Sequence, residues 1–248
     1  MPRNIMWLLN LLKMKKGKKV VVLTGAGISA ESGIATFRDS GGLWEGHDVM
    51  EVASPEGWEK NPNLVLDFYN QRRKQAITAQ PNAGHLALKE LEKYFDVTVI
   101  TQNVDNLHEK AGSSKVIHLH GELFKARSSV DENLIYDIDG WEIKPGETCE
   151  KGSQLRPHIV WFGEMVPMME RAIEETQQAD IFLIVGTSLL VYPAAGLINY
   201  VDPSIAKYII DIKAPEMGIN DPYLRFIEAK AGEGLPKLIR ELVDEHHV

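Results

Sequence analysis

Short runs of apolar residues alternate along most of the chain with longer stretches in which apolar residues recur every three or four positions. Five runs have the length and β-branched content of strands: Val20–Leu23, Val97–Thr101, Val116–Leu119, Ile181–Val185 and Tyr208–Ile212. Helical spacing is found at Pro62–Ala79, Ala83–Phe95, Met165–Ala179 and Leu235–Val243. Apolar strands that alternate with helices indicate a parallel sheet covered on both faces, so the pattern predicts an α/β fold with a Rossmann-like, doubly wound sheet.

Two stretches interrupt this alternation. Residues 37–80 contain loop signals before their helix, and residues 122–154 are polar, with turn signals at Asp139-Gly140 and Pro145-Gly146. We therefore expect a main domain of residues 14–36, 81–119 and 164–248, with a smaller discontinuous module of residues 37–80 and 120–163. Residues 1–13 form an N-terminal extension. Its apolar run is too short to span a bilayer, so we expect a helix packed on the body, with membrane contact as the alternative.

Composition narrows the classes of partner. The chain has 248 residues and a formal net charge of −8, which argues against a nucleic-acid or anionic-membrane surface. Cys149 is the single cysteine, so no intramolecular disulfide forms. This usage fits a reducing compartment, and we expect a cytoplasmic monomer.

A glycine pattern, Gly25-x-Gly27-x-x-Ala30, follows the first predicted strand. Gly25 permits a tight turn, Gly27 lets the backbone approach a pyrophosphate, and Ala30 is small enough for the following helix to pack on the sheet. A dehydrogenase would continue into a second strand that ends in an acidic residue about twenty positions on. This chain enters a polar, glycine-rich loop instead, which predicts nucleotide binding without hydride transfer.

Candidate chemistry follows two further strands. His120 ends an apolar strand on the same face as His118, and its unperturbed pKa of about 6.5 suits a general base. A structural histidine and a metal pair with His118 are the alternatives. Gln102, Asn103 and Asp105 follow the strand before it, where open α/β sheets bind ligands, but they are equally typical of a helix cap.

Two other groups of residues have competing interpretations. The turn Gly186-Thr187-Ser188 would bind ribose or phosphate, or cap the next helix. Tyr69 and Arg72 are three apart on a predicted helix and share a face. An arginine fork with a phenol can hold a carboxylate, although such a pair is more often an ordinary helix surface.

Five blocks, in order, resemble the sirtuins, which are NAD-dependent protein-lysine deacylases. The blocks are Gly25–Asp39, Thr101–His108, His118–Gly121, Arg156–Glu164 and Gly186–Leu189, and the resemblance extends over residues 20–240. It implies a doubly wound NAD-binding domain with a small module above it. NAD would be a consumed co-substrate, and the partner would be an acylated lysine on a protein or peptide.

The resemblance also implies residue roles. His120 would be catalytic, accepting a proton from a ribose hydroxyl and driving attack on an imidate intermediate. Phe37 would shield the nicotinamide–ribose bond and Arg38 would pair with phosphate, the alternatives being a core aromatic and a surface salt bridge. Asp211 stands near the position where sirtuins usually have Asn. The residues assigned to NAD are Gly25, Ala26, Gly27, Ser29, Ala30, Glu31, Thr36, Phe37, Arg38, Trp44, Gln102, Asn103, Val104, Asp105, Gly186, Thr187, Ser188, Asp211, Ile212, Lys213 and Ala231.

The substrate side is assigned in the same way. The run Pro157–Gly163 resembles the strip that pairs with the substrate backbone as an added strand, with Phe162 or Trp161 lining the acyl-lysine tunnel; the alternative is an internal hydrophobic strand. The residues assigned to the substrate are Val160, Trp161, Phe162 and Gly163, together with Tyr69 and Arg72. The Tyr69-x-x-Arg72 pair resembles that of the sirtuins that remove succinyl and malonyl groups. Two other functions stay open: mono-ADP-ribosyl transfer or NAD hydrolysis, and a catalytically idle NAD-sensing module.

The small module departs from the family. Most sirtuins hold a structural zinc here with two cysteine pairs, whereas this chain has only Cys149. Ser128 is a poor zinc ligand, and Asp131 with Cys149 would give two ligands at most. We therefore predict no zinc, with the module held by packing of Ile135, Tyr136, Ile138 and Trp141.

Overall fold

The structure, a computed structural model, describes residues 17–35, 43–44, 46–215 and 221–246. The strands are β1 (Lys19–Thr24), β2 (Leu43–Trp44), β3 (His47–Asp48), β4 (Asp96–Thr101), β5 (Val116–His118), β6 (Gly121–Ser128), β7 (Ile135–Asp137), β8 (Leu155–Ile159), β9 (Ile181–Val185), β10 (Ala206–Asp211) and β11 (Leu224–Glu228). The helices are α1 (Ala26–Ala30), α2 (Val49–Val52), α3 (Pro55–Lys60), α4 (Pro62–Thr78), α5 (Ala83–Leu91), α6 (Leu107–Ala111), α7 (Met169–Gln177) and α8 (Ala231–His246), with a 3₁₀ helix at Ala194–Tyr200.

Six strands form one parallel sheet in the order β11-β10-β9-β1-β4-β5. The order reverses at β1, which has β4 on one side and β9 on the other. In sheets of this kind ligands bind outside the carboxyl ends of the strands at the reversal. The predicted α/β class and doubly wound sheet are confirmed, and the turns after β1, β4 and β9 lie at the expected binding edge.

The two faces of the sheet bury alternate residues of the same strands. On β1, Val20 and Val22 pack on one side with Leu88 and Leu235 of the covering helices. Val21 and Leu23, the residues between and after them, pack into the hydrophobic core on the other side of the sheet. A strand covered on both faces has no polar side, which is why the sequence shows continuous apolar runs here.

The predicted elements differ from the observed ones mainly at the edges. The strand β11 was not predicted, because at the sheet edge it is largely half-buried and carries the exposed Arg225 and Glu228. The helix expected to reach Phe95 ends at Leu91, and the last helix begins at Ala231, four residues before the predicted Leu235. Among the described residues, no helix has both the length and the apolar content that crossing a membrane requires.

The second layer consists of a small antiparallel sheet in the order β7-β6-β8, next to α2, α3 and α4. A fully buried arginine joins α4 to the loop after β7. The Arg73 guanidinium donates from Nε to Trp141 O at 2.7 Å and from Nη1 to Leu123 O at 3.2 Å. Asn70 and Ile143 add a reciprocal pair of bonds at 3.0 and 2.9 Å.

The packing of this module differs from the expected packing. Ile135 and Trp141 are exposed, whereas Tyr136 and Ile138 are partly buried against the core under the sheet β7-β6-β8. Ile143, which was not predicted, is fully buried there. Since β7 is a short outer strand, Ile135 points away from the core while its neighbour Tyr136 points in.

Candidate active site

Two glycine turns, after β1 and after β9, pack directly against each other. Gly25 N donates to Val185 O at 3.0 Å, and Gly27 N donates to Gly186 O at 2.8 Å. Gly186 has φ +62°, and a Cβ there would lie 2.4 Å from the backbone nitrogen of Ile28. A Cβ on Gly27 would lie 2.7 Å from the Cα of Gly186. The contact between the two backbones therefore requires glycine at both positions.

The third position of the glycine pattern does not have the expected role. Ala30 was predicted to be small so that its helix could pack on the sheet, but Ala30 is exposed. The buried residues of α1 are Ile28 and Ser29, and the close approach is made by Gly27. A helix of five residues turns its last side chain away from the sheet, so the size of this residue is not set by packing there.

A buried polar cluster lies beside these turns. Asn103 Nδ2 donates to Gly25 O at 3.0 Å and to Ser29 Oγ at 3.1 Å. Ser29 Oγ donates in turn to Asp105 Oδ2 at 3.0 Å. Asp105 Oδ1 also accepts from the backbone N–H of Leu107, the first residue of α6, at 3.1 Å, although the N-cap residue of that helix is Asn106. Burial raises the pKa of Asp105, while the bonds from Leu107 and Ser29 oppose that rise.

Gln102 joins three parts of the site. Its Nε2 donates to Thr187 Oγ1 at 3.0 Å, and its carbonyl accepts from His120 Nδ1 at 2.9 Å. Its backbone N–H donates to Thr24 O at the end of β1. The turns after β4 and β9 and the residue predicted as general base are thus linked through one residue.

His120 is arranged as a neutral base. Because Nδ1 faces the carbonyl of Gln102, it must carry the proton, and Nε2 is left with its lone pair. Burial lowers the pKa of His120 below its usual value, and the bond to Gln102 only partly offsets this. The imidazole is therefore uncharged at neutral pH and can accept a proton.

His118 has a different environment, and the interpretation as a metal pair with His120 has no support. Its Nδ1 lies 3.0 Å from Asn103 O and its Nε2 lies 2.8 Å from Glu109 Oε1. Burial lowers the pKa of His118, but the bonds to Glu109 and Asn103 outweigh burial and the pKa lies above its usual value. In the described part of the chain, no group of three or more His, Cys, Asp or Glu side chains is placed to hold a metal.

Tyr69 and Arg72 lie on α4, as predicted, but on its buried side. Tyr69 is fully buried and Arg72 is 9% exposed, so the pair is not an ordinary helix surface. The Tyr69 hydroxyl accepts from Trp161 Nε1 at 3.1 Å. Burial raises the pKa of Tyr69, against the effects of Trp161 and the nearby Arg72 charge, so the phenol keeps its proton. The Arg72 guanidinium lies 5.5 Å from the Phe68 ring centroid.

Consecutive residues connect this pair to the base. Val160 N donates to His120 O at 2.9 Å, and the next residue, Trp161, reaches Tyr69. Phe162 is 43% exposed, and Gly163 adopts φ +91° in the turn that follows. The predicted strip is therefore internal as far as Ile159, where β8 pairs with β6, and leaves the sheet at Val160.

The remaining residues assigned to NAD lie around the same edge or outside the described residues. Asp211 is buried at the end of β10, and its Oδ1 accepts from Lys213 N at 3.3 Å, while Ile212 is 65% exposed. Glu31 accepts from the backbone N–H of Gly232 at 2.8 Å, next to the buried Ala231. Ala26 and Ser188 are half-buried in the two turns, and Val104 O accepts from Leu123 N. Thr36, Phe37 and Arg38 lie outside the described residues, and so does the extension of residues 1–13; only the backbone of Trp44, in β2, is described.

The donors at the expected zinc position do not fit the metal. Cys149 Sγ lies 3.3 Å from Ser128 Oγ and 3.2 Å from Ser153 Oγ, and the two hydroxyl oxygens are 2.9 Å apart. Asp131 pairs with Lys151 at 2.6 Å instead of facing the thiol. One thiol and two hydroxyls that bond to each other are not a zinc ligand set, which needs four strong donors.

Sequence reasoning missed two sets of residues that support the site. Thr24 and Thr101 share a hydrogen bond of 2.8 Å beneath the turns, and His108 Nε2 lies 3.0 Å from Thr24 Oγ1. Threonine at the last position of two apolar strands was the available signal. Arg156 and Glu164 bond to each other beside Trp161 and lie at the two ends of the block Arg156–Glu164, in which the sequence assigned neither of them a role.

Comparison with protein families agrees with this geometry. The model that describes the Sir2 family matches residues 25–193, more than half of the chain. An NAD-dependent protein deacylase of Helicobacter pylori is 57% identical over 199 residues, covering 79% of this chain and 84% of that protein. One of the same name from Bacteroides thetaiotaomicron is 52% identical over 231 residues, covering 91% and 98%.

Solved structures show the same likeness. A Sir2 homologue in complex with NAD is 40% identical, with a TM-score of 0.83 over 96% of this chain and 94% of that one. Sir2Tm bound to a propionylated peptide is 28% identical, with a TM-score of 0.74 over 98% of each chain.

Proposed function

The chain belongs to the Sir2 family and is an NAD-dependent protein deacylase, and we propose that it prefers succinyl- and malonyl-lysine over acetyl-lysine. In this reaction NAD is a co-substrate, and the products are nicotinamide, O-acyl-ADP-ribose and the free lysine. The observation that carries the preference is the buried Tyr69–Arg72 pair next to Trp161.

A carboxylate is the acyl end that suits these two side chains. Tyr69 already accepts a bond from Trp161, and its high pKa keeps the phenol protonated, so the hydroxyl has a proton to donate. Arg72 is on the same buried side of α4, and a guanidinium binds a carboxylate through two parallel bonds. Charge-assisted bonds of this kind contribute about 1.5–3 kcal/mol each. An acetyl group has no charge to meet either donor.

We assign His120 the role of general base. Its Nε2 would accept the proton of a ribose hydroxyl, since Nδ1 is committed to Gln102 O. A neutral imidazole with a fixed tautomer needs no rearrangement before it takes that proton. The same bond fixes the orientation of the ring.

NAD would be held along the edge formed by the turns after β1, β4 and β9. The NAD complex of a Sir2 homologue supports this, since that structure shares the fold over 96% of this chain. The Gly25–Gly27 and Gly186–Ser188 turns are assigned to its phosphates and ribose, and Asn103 with Asp105 to its nicotinamide end. By the family resemblance, Phe37 would shield the nicotinamide–ribose bond and Arg38 would pair with phosphate. Asp211 would accept from a ribose hydroxyl, and Ala231 would contact adenine.

The small module is proposed to be free of zinc. The hydrogen bonds among Ser128, Cys149 and Ser153, and the bonds of Arg73 to Trp141 O and Leu123 O, support closure of the module without a metal. The division into a main domain and one small module of residues 37–80 and 120–163 remains a prediction, as do the monomeric state, the cytoplasmic location and the lack of nucleic-acid binding.

The test measures NAD-dependent turnover of succinyl-lysine and acetyl-lysine versions of one peptide. Wild type is compared with Arg72→Met and with Lys74→Met, a control that removes a positive charge from the exposed side of the same helix. We expect wild type to prefer the succinyl peptide. Arg72→Met should lower kcat/KM for the succinyl peptide by about tenfold or more, the value of one charge-assisted bond, with Lys74→Met unchanged.

Other outcomes have defined meanings. Equal turnover of both peptides by wild type and Arg72→Met would refute the preference and leave a general deacylase. Nicotinamide release without any acylated peptide would favour NAD hydrolysis or ADP-ribosyl transfer.

A further inference from the structure

One carboxylate, Glu164, holds two arginines from neighbouring strands. Arg127 of β6 and Arg156 of β8 are paired across the antiparallel ladder, and each is 8% exposed. Arg127 Nη2 lies 3.0 Å from both Glu164 oxygens, while Arg156 forms two bonds to them at 2.9 and 3.1 Å. Like charges directly opposite each other on a sheet repel, so the cluster is stable only with the carboxylate between them.

Among the described residues, Arg156 contacts an aromatic ring and Arg127 does not. Its guanidinium carbon lies 3.4 Å from the centroid of the Trp161 ring, which is a close stacking distance. Its Nη2 also donates to Ile159 O at 3.1 Å, which fixes the guanidinium plane. The Trp161 ring has Trp58 5.9 Å away, centroid to centroid. The indole is therefore located by Arg156 as well as by the apolar core.

The turn that carries Trp161 is tied to the same carboxylate. Glu164 Oε2 accepts from Trp161 N at 2.8 Å, and Glu164 N donates to Trp161 O at 3.0 Å. Both the backbone and the ring of Trp161 are thus fixed by the Glu164–Arg156 pair. From the ring, the indole N–H reaches the Tyr69 hydroxyl at 3.1 Å.

We propose that Arg156, oriented by Glu164, is a positioning residue for the acyl pocket and acts through Trp161 on Tyr69. The inference rests on the proposed role of Tyr69 in reading the acyl group. Arg156 does not touch the acyl group. It holds the indole, and the indole bond fixes the position of the Tyr69 hydroxyl.

The flat, forked guanidinium is what this position needs. Lysine keeps the charge that Glu164 requires but can neither bond to the carboxylate with two parallel N–H groups nor stack flat on an indole. The substitution Arg156→Lys therefore removes positioning while preserving the charge balance of the cluster. Arg127→Lys is the matched control, since it makes the same change on the same carboxylate without a ring contact.

The experiment measures kcat and KM for the succinyl-lysine peptide at saturating NAD, KM for NAD, and thermal stability. Wild type is compared with Arg156→Lys, Arg127→Lys, Tyr69→Phe and the double variant Arg156→Lys/Tyr69→Phe. We expect Arg156→Lys to raise the peptide KM about tenfold, with kcat and the KM for NAD within about twofold. For Arg127→Lys, kcat, the peptide KM and the KM for NAD should all stay within about twofold of the wild-type values. The peptide KM of the double variant should be no higher than that of Tyr69→Phe, because both changes interrupt the same chain of contacts.

Two results would overturn the inference. Effects of Arg156→Lys and Tyr69→Phe that multiply would mean that Arg156 acts elsewhere. Equal loss of kcat, NAD affinity and stability in both lysine variants would mean a structural role for the whole cluster. A wild type without succinyl preference would refute the proposed specificity and the inference with it, whereas either of the two results above, obtained with the preference intact, would refute the inference alone.

Discussion

At the scale of single residues, the site depends on which atom of a side chain is already committed. His120 has one nitrogen fixed by a backbone carbonyl, and Tyr69 has its oxygen lone pair engaged by an indole. For His120 this leaves the lone pair of Nε2 to accept a proton, and for Tyr69 it fixes the hydroxyl beside the Trp161 ring. Residue type suggested a base and a carboxylate-binding pair, but it could not say which atoms remained available.

The pH dependence of the reaction follows from the environment of His120. Its pKa is lowered by burial, so the base loses its lone pair only as the pH falls through a value below about 6.5. We expect kcat/KM to decrease on the acid side of that value and to be flat from there towards neutral pH, as far as His120 is concerned. The measurement is the pH profile of kcat/KM for an acylated peptide, with NAD binding followed in parallel.

A companion variant tests the assignment. His120→Asn should lose about 10²-fold or more in turnover, the usual contribution of a general base, and should still bind NAD. An acid limb centred above pH 7, or substantial activity in His120→Asn, would contradict the role.

At the scale of elements, the site is built from strand ends, and two turns limit what residues they accept. Gly25 and Gly27 after β1 contact Gly186 after β9 backbone to backbone. The sequence placed both turns correctly because each follows a continuous apolar run. It could not show that the turns touch, because β1 and β9 are far apart in the chain and become neighbours only in the order of the folded sheet. The mistaken role for Ala30 has the same origin.

The contact between the turns can be tested with a matched pair of variants. Gly186→Ala forces a Cβ to 2.4 Å from the backbone of Ile28 at φ +62°, whereas Gly152→Ala has a similar φ of +74° and nothing within 4 Å. Gly152→Ala should lower the free energy of unfolding by about 1 kcal/mol, from backbone strain alone. Gly186→Ala should lower the free energy of unfolding by about 2–4 kcal/mol and weaken NAD binding, because backbone strain and the steric overlap of the new Cβ add together.

Denaturant unfolding and NAD titration measure both effects. Equal losses of stability in the two variants would show that the turns can separate without cost, and the structural argument for Gly186 would fail.

At the scale of the whole molecule, the second layer is held together without a metal site among the described residues. Arg73 and Asn70 bond α4 to the loop that contains Trp141 and Ile143. At the other end of the small sheet, Ser128, Cys149 and Ser153 form hydrogen bonds with one another. From the sequence we noted that the zinc-binding cysteine pairs of the family are absent, but we expected Ile135 and Trp141 to fill the core of the small module. The sequence did not indicate Arg73, because an arginine that is fully buried is rare.

Metal content and chelator resistance test this closure. We expect purified protein to contain far less than one zinc per chain, with thermal stability and deacylase activity unchanged by a strong chelator. Ser128→Ala should lower the free energy of unfolding by about 1 kcal/mol, since it leaves the thiol and Ser153 with one bond fewer. Stoichiometric zinc, or unfolding by the chelator, would refute the metal-free module.

The sequence by itself determined the class of fold, the edge of the sheet at which a ligand is expected and the chemical types gathered there. These follow from local pattern: apolar runs form buried strands, glycines and polar residues follow them, and parallel strands bring their carboxyl ends to one edge. The tertiary structure alone decided which groups meet. The contact of Gly27 with Gly186, the commitment of His120 to Gln102, and the path from Glu164 through Arg156 and Trp161 to Tyr69 join residues far apart in the chain. No local pattern encodes such contacts, because burial, tautomer and the direction of each hydrogen bond are fixed only when separate elements pack.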